Sequence, residues 1–174
     1  MDKLKVLISR DEIKDKVAEL AAEIRRDYRG TNPLLLGVLK GSFVFMADLA
    51  RALDMPVGIE FVRLASYGAG KETSGKVKVV QGLKTSIKGR HVLVVEDIVD
   101  TGITLNFFLE YLRLRKPLSV KLCALFDKPS RRTVPVTIDY PGFTVPDAFV
   151  VGYGLDFAEE FRCLSDLCVL EKED

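Results

Sequence analysis

The stretch from His91 to Leu105 constrains the fold of this chain more than any other. Four apolar residues, Val92 to Val95, run into two adjacent acids, Glu96 and Asp97. Ile98, Val99, a third acid at Asp100 and then Thr101-Gly102 follow, and from Ile103 to Leu114 apolar residues recur at helical spacing. A short, β-branched apolar run without polar alternation reads as a strand buried on both faces. The order is therefore strand, acidic turn, helix. In an open α/β sheet, ligands bind in the crevice beyond the carboxyl ends of the strands. The first N–H groups of the helix lack helical partners, and with the helix dipole they form a seat for an anion. Gly102 allows close backbone approach to that anion, and the hydroxyls of Thr101 and Thr104 add donors. Glu96 and Asp97, one step earlier, can accept from two sugar hydroxyls or from the water shell of a Mg²⁺ ion. A solvated, capped turn also uses Asp and Thr. Three acids in five residues fit that reading less well, because like charges so close call for a compensating cation or donor.

The remaining chain extends the alternation. Ser9 to Glu12 has the spacing of a capping box, and Ile13, Val17, Leu20, Ala21, Ile24 and Tyr28 lie on one face of the helix it starts, with Gly30 as its stop. Leu34 to Leu39 reads as a second apolar strand that leads through Lys40-Gly41-Ser42 into a helix from Phe43 to Leu53, which makes a second anion seat. Val57 to Leu64 and Val77 to Gln81 read as strands on either side of a polar, glycine-rich loop, Ala65 to Lys76. Ser119 to Phe126 is another strand, ending at Asp127-Lys128-Pro129-Ser130-Arg131-Arg132. Val134 to Asp139 and Phe149 to Tyr153 are short strand candidates, separated by a turn at Tyr140-Pro141-Gly142. Leu167 to Leu170 is a last apolar strand.

With 174 residues, one domain is expected. A net charge of +1 supplies no basic face for nucleic acid, and no apolar run approaches the ~20 residues that cross a bilayer. The segment Met1 to Glu12 lacks the apolar core of a secretory signal. Cys123, Cys163 and Cys168 show no paired spacing and read as reduced thiols of the core. A cytoplasmic protein with no nucleic-acid or membrane partner is expected. His91, the only histidine, reads as a surface residue.

The sequence from Glu96 to Leu105, after its four apolar residues, closely resembles the phosphoribosyl pyrophosphate (PRPP) motif of the type I phosphoribosyltransferases, and most of all their hypoxanthine-guanine branch. Leu39-Lys40-Gly41-Ser42, Ser66-Tyr67-Gly68, Asp127-Lys128-Pro129 and Pro146 to Tyr153 match further family motifs in the family's order. The resemblance implies an α/β fold, a mostly parallel twisted sheet flanked by helices. Its core would span about residues 34–135. A small hood over the base would come from the N-terminal segment and about 136–174, and a lid from about 65–76.

It also implies Mg²⁺-dependent transfer of a 5-phosphoribosyl group from PRPP to N9 of a 6-oxopurine. Residue roles are implied in the same way. Asp100 is the acid/base at the purine N7, and Asp100, Thr101, Gly102, Ile103 and Thr104 hold the 5′-phosphate. Glu96 and Asp97 hold the ribose hydroxyls and serve the metal. Lys40, Gly41 and Arg132 handle pyrophosphate, with Arg131 and Arg132 interchangeable at the motif's resolution, and Arg162 contacts it too. Ser66 and Tyr67 sit at the lid tip. Lys128 reads the purine O6, Phe149 stacks on the ring, Val150 offers main-chain groups to the base edge, and Asp156 offers a carboxylate to the base site and a second Mg²⁺. The Leu39–Lys40 peptide is expected to be cis, and the assembly a homodimer or homotetramer. Three other readings stay open: a xanthine-preferring transferase, a transferase for another base, and a regulator that carries the PRPP motif but binds RNA.

Overall fold

A computed structural model describes residues 3–67 and 76–171 of the chain. Six strands form the main sheet: β2 (Leu34–Leu39), β3 (Gly58–Tyr67), β4 (Lys76–Gln81), β5 (His91–Val99), β6 (Ser119–Asp127) and β7 (Tyr140–Thr144). Their order is β4-β3-β2-β5-β6-β7, with every neighbouring pair parallel except β3 and β4. Three helices cover it: α1 (Arg10–Asp27), α2 (Phe43–Leu53) and α3 (Ile103–Arg113). The remaining strands, β1 (Lys3–Ile8), β8 (Val150–Val151) and β9 (Leu167–Glu171), make a separate antiparallel sheet in the order β1-β9-β8.

The apolar runs of the central strands serve both faces at once. Leu35, Leu93, Val95, Cys123 and Leu125 point toward α1 and α2, where Ile13, Val17, Leu20, Ile24, Phe45 and Leu49 meet them. Leu34, Leu36, Val92, Val94, Leu122 and Ala124 point the other way, toward Phe108, Leu109 and Leu112 of α3. Alternate residues of a strand face opposite sides of the sheet, so a strand buried on both must be apolar throughout. The α1 face of this core continues into the small sheet through Ile8, Val150 and Leu167. α1 starts at the expected capping box, in which the Ser9 hydroxyl accepts from the Glu12 amide and the Glu12 carboxylate from the Ser9 amide.

Three local expectations change. First, β5 runs on through Glu96 and Asp97 to Val99, so the acid pair, expected at the very end of the strand, lies within it and the turn begins only at Asp100. β6 supplies the reason: it continues the ladder from Glu96↔Ala124 to Val99↔Asp127. On the other edge β2 pairs with β5 only as far as Gly37↔Val95, so the acids are left facing a gap. Second, the expected strand Val134 to Asp139 is irregular, and Tyr140-Pro141-Gly142, expected as a turn, opens β7. Proline is tolerated there because β7 is an edge strand. Gly142 is required there, because a Cβ at that position would lie 2.2 Å from the Leu125 carbonyl oxygen. Third, Lys3–Ile8 forms a strand that its largely exposed residues did not announce; only its pairing with β9 creates it. The candidate strand Phe149 to Tyr153 shrinks to β8. Ala65 to Tyr67 belong to β3, and Tyr67 pairs with Lys76, while residues 68–75 of the expected lid lie outside the described residues.

Gly142→Ala forces the β6 backbone to move or the edge strand to detach. We expect a loss of about 1–3 kcal/mol, the usual cost of overfilling a packed contact. It would be read as a lower denaturation midpoint in guanidinium with an unchanged slope. A midpoint equal to that of the unmodified protein would contradict the close contact with Leu125.

Candidate active site

The carboxyl ends of β2, β5 and β6 open on one side of the main sheet, and the small sheet stands over them. Two cavities meet there. The smaller, about 220 Å³, is lined by Val38, Leu64, Glu96 and the turn from Ile98 to Thr104. The larger, about 510 Å³, is lined by Ile98, Asp100, Lys128, Arg131, Asp147 to Val150, Leu155 and Asp156. Ile98 and Asp100 belong to both. A ligand with a phosphorylated part and a flat apolar part therefore finds two adjoining compartments with Asp100 at the junction. A wider cleft of about 870 Å³ lies between α1, α2 and the segment from Arg162 to Ser165, and of the expected site residues only Arg162 lines it.

The turn is held from below. Gly102 has φ +83°, a left-handed conformation that glycine adopts without strain, and it caps α3. A Cβ there would meet the Val134 carbonyl at 2.5 Å. The Thr101 carbonyl accepts from the amides of Thr133 and Val134 at 2.9 and 3.1 Å, and the Thr101 hydroxyl accepts from the Ile103 amide at 3.4 Å. Arg132, expected at pyrophosphate, instead turns inward. Its Nε donates to the Asp100 carbonyl at 2.9 Å, and its Nη2 donates to the Val99 carbonyl and binds the Asp127 carboxylate. The choice between Arg131 and Arg132 is thereby divided: Arg132 fixes the turn's backbone, while Arg131 reaches the pocket, with its Nε 3.3 Å from Asp100 Oδ1.

The acid pair carries the sharpest electrostatic tension. Asp97 is buried, accepts from the Ile98 amide at 2.8 Å and presses against Gly41 so closely that a Cβ on Gly41 would lie 1.6 Å from its Oδ2. Burial, and then the Asp97 carboxylate beside it, push the Glu96 carboxyl well above the usual carboxylate range. Among the described residues no cluster of three or more His, Cys, Asp or Glu side chains is arranged to hold a metal. The two acids nonetheless suit Mg²⁺, which takes one or two protein carboxylates and completes its shell with water and substrate phosphates. A cation near Glu96 would relieve the repulsion that raises it.

The second loop holds a cis peptide at Leu39–Lys40. Lys40 Nζ donates to both oxygens of Glu159 at 2.9 Å, which holds the Glu159 carboxyl below its usual range. Arg162 also leans on Glu159, at 3.4 Å. It binds Asp156 at 2.9 Å and donates to the Gly154 carbonyl at 2.8 Å. Gly154, at φ +98°, abuts the Gly41 carbonyl, leaving 2.2 Å for any Cβ. Across the larger cavity, Lys128 is buried and its Nζ donates to the Ala148 carbonyl at 2.7 Å. Phe149 is half exposed and meets Phe157 edge to face at 5.5 Å, while Val150 is buried in β8.

Asp100, Lys128, Phe149, Val150 and Asp156 thus line one cavity, and Lys40 and Arg162 share one carboxylate. Ser66 and Tyr67 lie at the end of β3. Glu159, Asp147 and the role of Gly154 were not foreseen. Gly154 had a signal, a second glycine two residues after Gly152; the two acids had none, because their partners are about 119 and 16 residues away.

A phosphoribosyl transferase domain model matches residues 9–158. The hypoxanthine-guanine phosphoribosyltransferase of Bacillus subtilis (strain 168) is 49% identical over 167 residues, spanning 96% of this chain and 93% of that protein. The hypoxanthine phosphoribosyltransferase of Haemophilus influenzae is 48% identical over 162 residues, 91% of this chain and 90% of its own length. A crystal structure of a hypoxanthine phosphoribosyltransferase from Staphylococcus aureus superposes with a TM-score of 0.93 at 40% identity, covering 96% of this chain and 91% of the other.

The raised Glu96 carboxyl predicts a pH dependence of stability. A group that binds its proton more tightly in the fold contributes stability below its unfolded value, and that stability is lost as pH rises through its folded value. Glu96→Gln removes the titration. Without ligands the variant should be more stable than the unmodified protein at neutral pH, and the advantage should vanish toward about pH 4, near the ordinary carboxylate range. Denaturation midpoints measured across that interval check it; a pH-independent difference would show that Glu96 is not the titrating group.

Proposed function

The chain belongs to the phosphoribosyltransferase family, and from that premise we propose how its residues divide the reaction. The reaction is the purine-salvage transfer of the 5-phosphoribosyl group from PRPP to N9 of hypoxanthine or guanine, giving IMP or GMP and pyrophosphate. The observation that carries the assignment to this chain is the buried ammonium of Lys128 on the wall of the larger cavity, beside Asp100 and the turn that opens α3. A cation that can only donate selects a base with an acceptor at C6.

The turn Asp100 to Thr104 takes the 5′-phosphate on the open amides at the start of α3 and the threonine hydroxyls. Glu96 and Asp97 accept from the ribose hydroxyls. Lys40, the Gly41 backbone and Arg162 take pyrophosphate, and both cations must then leave Glu159. Arg132 serves the phosphate indirectly by fixing the carbonyls of Val99 and Asp100. In the larger cavity Phe149 covers the purine ring, Lys128 donates to O6 and the Val150 main chain meets the base edge. As N9 forms its bond to C1, the bond from C1 to the pyrophosphate oxygen breaks, and the Asp100 carboxylate accepts the proton from N7. Positioning and charge stabilisation supply most of the acceleration for a carbocation-like sugar.

Mg²⁺, when bound, neutralises charge on the departing pyrophosphate. Glu96, Asp97 and Asp156 are the carboxylates available to hold it, Asp156 only by sharing with Arg162. Ser66 and Tyr67, with the segment after them, form the lid in this reading. The small sheet acts as the hood over the base.

No helix is long and apolar enough to cross a membrane among the described residues. Three free thiols accord with a cytoplasmic setting; Cys123 and Cys168 are buried as expected, whereas Cys163 is exposed and not a core thiol. The half-exposed Phe43 at the apolar cleft between α1 and α2 supports self-association as a homodimer or homotetramer.

Incubation with PRPP, Mg²⁺ and each purine in turn tests the assignment. Hypoxanthine or guanine should be converted to nucleotide and adenine essentially refused. Adenine places a donor opposite the Lys128 ammonium, and a site built on a buried polar contact can discriminate by about 10⁴. Lys128→Gln should narrow the gap mainly through a loss of kcat/KM on the oxopurine side, because an amide can present either oxygen or NH₂. Comparable turnover of adenine and hypoxanthine by the unmodified protein would reject the role of Lys128.

A further inference from the structure

Two successive arginines grip one aspartate. Arg132 binds the main-chain carbonyl of Asp100, and Arg131 places its Nε 3.3 Å from the same residue's Oδ1. On its far side, Arg131 Nη1 stands 3.7 Å from Asp147 Oδ1. Arg131 closes a short 3₁₀ turn, Pro129–Arg131, in which its amide donates to the Lys128 carbonyl at 3.2 Å. The proline fixes the first residue of that turn, so the base of the arginine is well placed to span the two acids. The Asp100 carboxyl is divided. Oδ1 is buried, with the Arg131 guanidinium as its charge partner but no hydrogen bond made to it, although the side chain as a whole is 46% exposed, so its exposure lies with the rest of the group, on the cavity. The other charged groups around it belong to different elements: Glu96 and Asp97 on β5, Lys128 and Arg132 after β6, and Asp156 across the cavity. None of these is seen to hold the Asp100 carboxylate, and Arg131 is the cation beside it.

From this geometry we infer that Arg131 is a positioning residue for the reaction, holding Asp100 Oδ1 so that Oδ2 faces the purine N7, with Asp147 anchoring the guanidinium. The inference rests on the acid/base role of Asp100 given above and extends it to Arg131 and Asp147, which share the wall of the larger cavity with it. A carboxylate pinned at one oxygen keeps a single approach for the proton; a free one rotates about its χ angles and meets N7 only part of the time. Misplacement of a reacting group by an ångström can cost about a hundredfold in rate. Arg131 is 52% exposed, and so is most of its ionic partnership, so the contact adds little to folding stability. Positioning and structural roles therefore separate cleanly.

The test is a double-mutant cycle in kcat at saturating PRPP, Mg²⁺ and hypoxanthine, using Arg131→Gln, Arg131→Lys, Asp147→Asn, Asp100→Asn and the pairings of the first three with Asp100→Asn. Arg131→Gln should lower kcat about tenfold, leave KM for PRPP within about twofold and leave the melting temperature unchanged. Arg131→Lys should recover part of the loss, and Asp147→Asn should show a smaller loss of the same kind. In the Asp100→Asn background all three should have no further effect, because their only route to the reaction has gone. Losses that add to that of Asp100→Asn, or an unchanged kcat in Arg131→Gln, would overturn the inference while leaving the assigned reaction intact. An unmodified protein that makes no nucleotide, or an Asp100→Asn variant as fast as the unmodified protein, would instead reject the reading of Asp100 on which it stands.

Discussion

Two glycines are packed with no room for a side chain of their own at the centre of this molecule, and the site depends on it. The Asp97 carboxylate lies where a Cβ of Gly41 would be, and the Gly41 carbonyl lies where a Cβ of Gly154 would be. The end of β5, the loop after β2 and the turn after β8 therefore stack with only the Asp97 carboxylate between the first two and no side chain between the last two. Among the described residues no strand ladder joins the main sheet to the small one; this contact and the shared apolar core around Ile8, Val150 and Leu167 do so instead. Larger residues at Gly41 or Gly154 would push apart the acid pair, the Lys40 loop and the segment that carries Asp156 and Arg162. Specificity for glycine here is steric at Gly41 and both steric and conformational at Gly154, whose φ is +98°.

The stagger of the strands explains where charge collects. β2 leaves β5 at Val95, and the next two residues of β5 are acids whose strand ladder continues on the β6 side alone, with the Gly41 loop against Asp97 on the other. Water or a cation can reach what the missing ladder leaves open. The cost shows in the raised Glu96 carboxyl. The opposite charge is kept nearby but bound elsewhere: Lys40 and Arg162 converge on Glu159. Lys40 and Arg162 are thus paired with Glu159 and not with the acid pair of β5, an arrangement suited to a ligand that carries both phosphate and metal.

The central strands and helices could be read from sequence because burial on both faces leaves an unbroken apolar run, and helices on those faces carry a clear stripe. β7 was misread because Pro141-Gly142 signals a turn in isolation, and only the edge position and the Leu125 carbonyl make it a strand. β1 was missed because its residues are mostly exposed and its partner is at the other end of the chain. Of the candidate site, Asp100, Lys128, Phe149, Val150 and Asp156 do line one cavity. Their motifs are local, and the strand ends carry them to the same crevice. Arg132 looked like a free cation because nothing in its neighbours in sequence reveals the carbonyls of Val99 and Asp100 beneath it. Glu159 and Asp147 could not be found that way at all, since their meaning is set by how far a lysine or arginine on another element can reach.

The pairing of β1 with β9 also bears on the order of assembly. Lys3 opposite Glu171 closes a loop of almost the whole chain. The entropy lost on closing a loop grows with its length, so contacts this remote gain only after shorter ones have drawn the chain in. Val150 hangs from β9, and with it one wall of the larger cavity. The main sheet, built from neighbouring βα units, can form without that wall; the wall cannot form without the sheet. Folding should then pass through a stage that has its phosphate turn but no enclosed base pocket. φ-values near zero in β1 and β9, beside higher values in β5 and β6, would record that sequence of events, and high values in β1 would refute it.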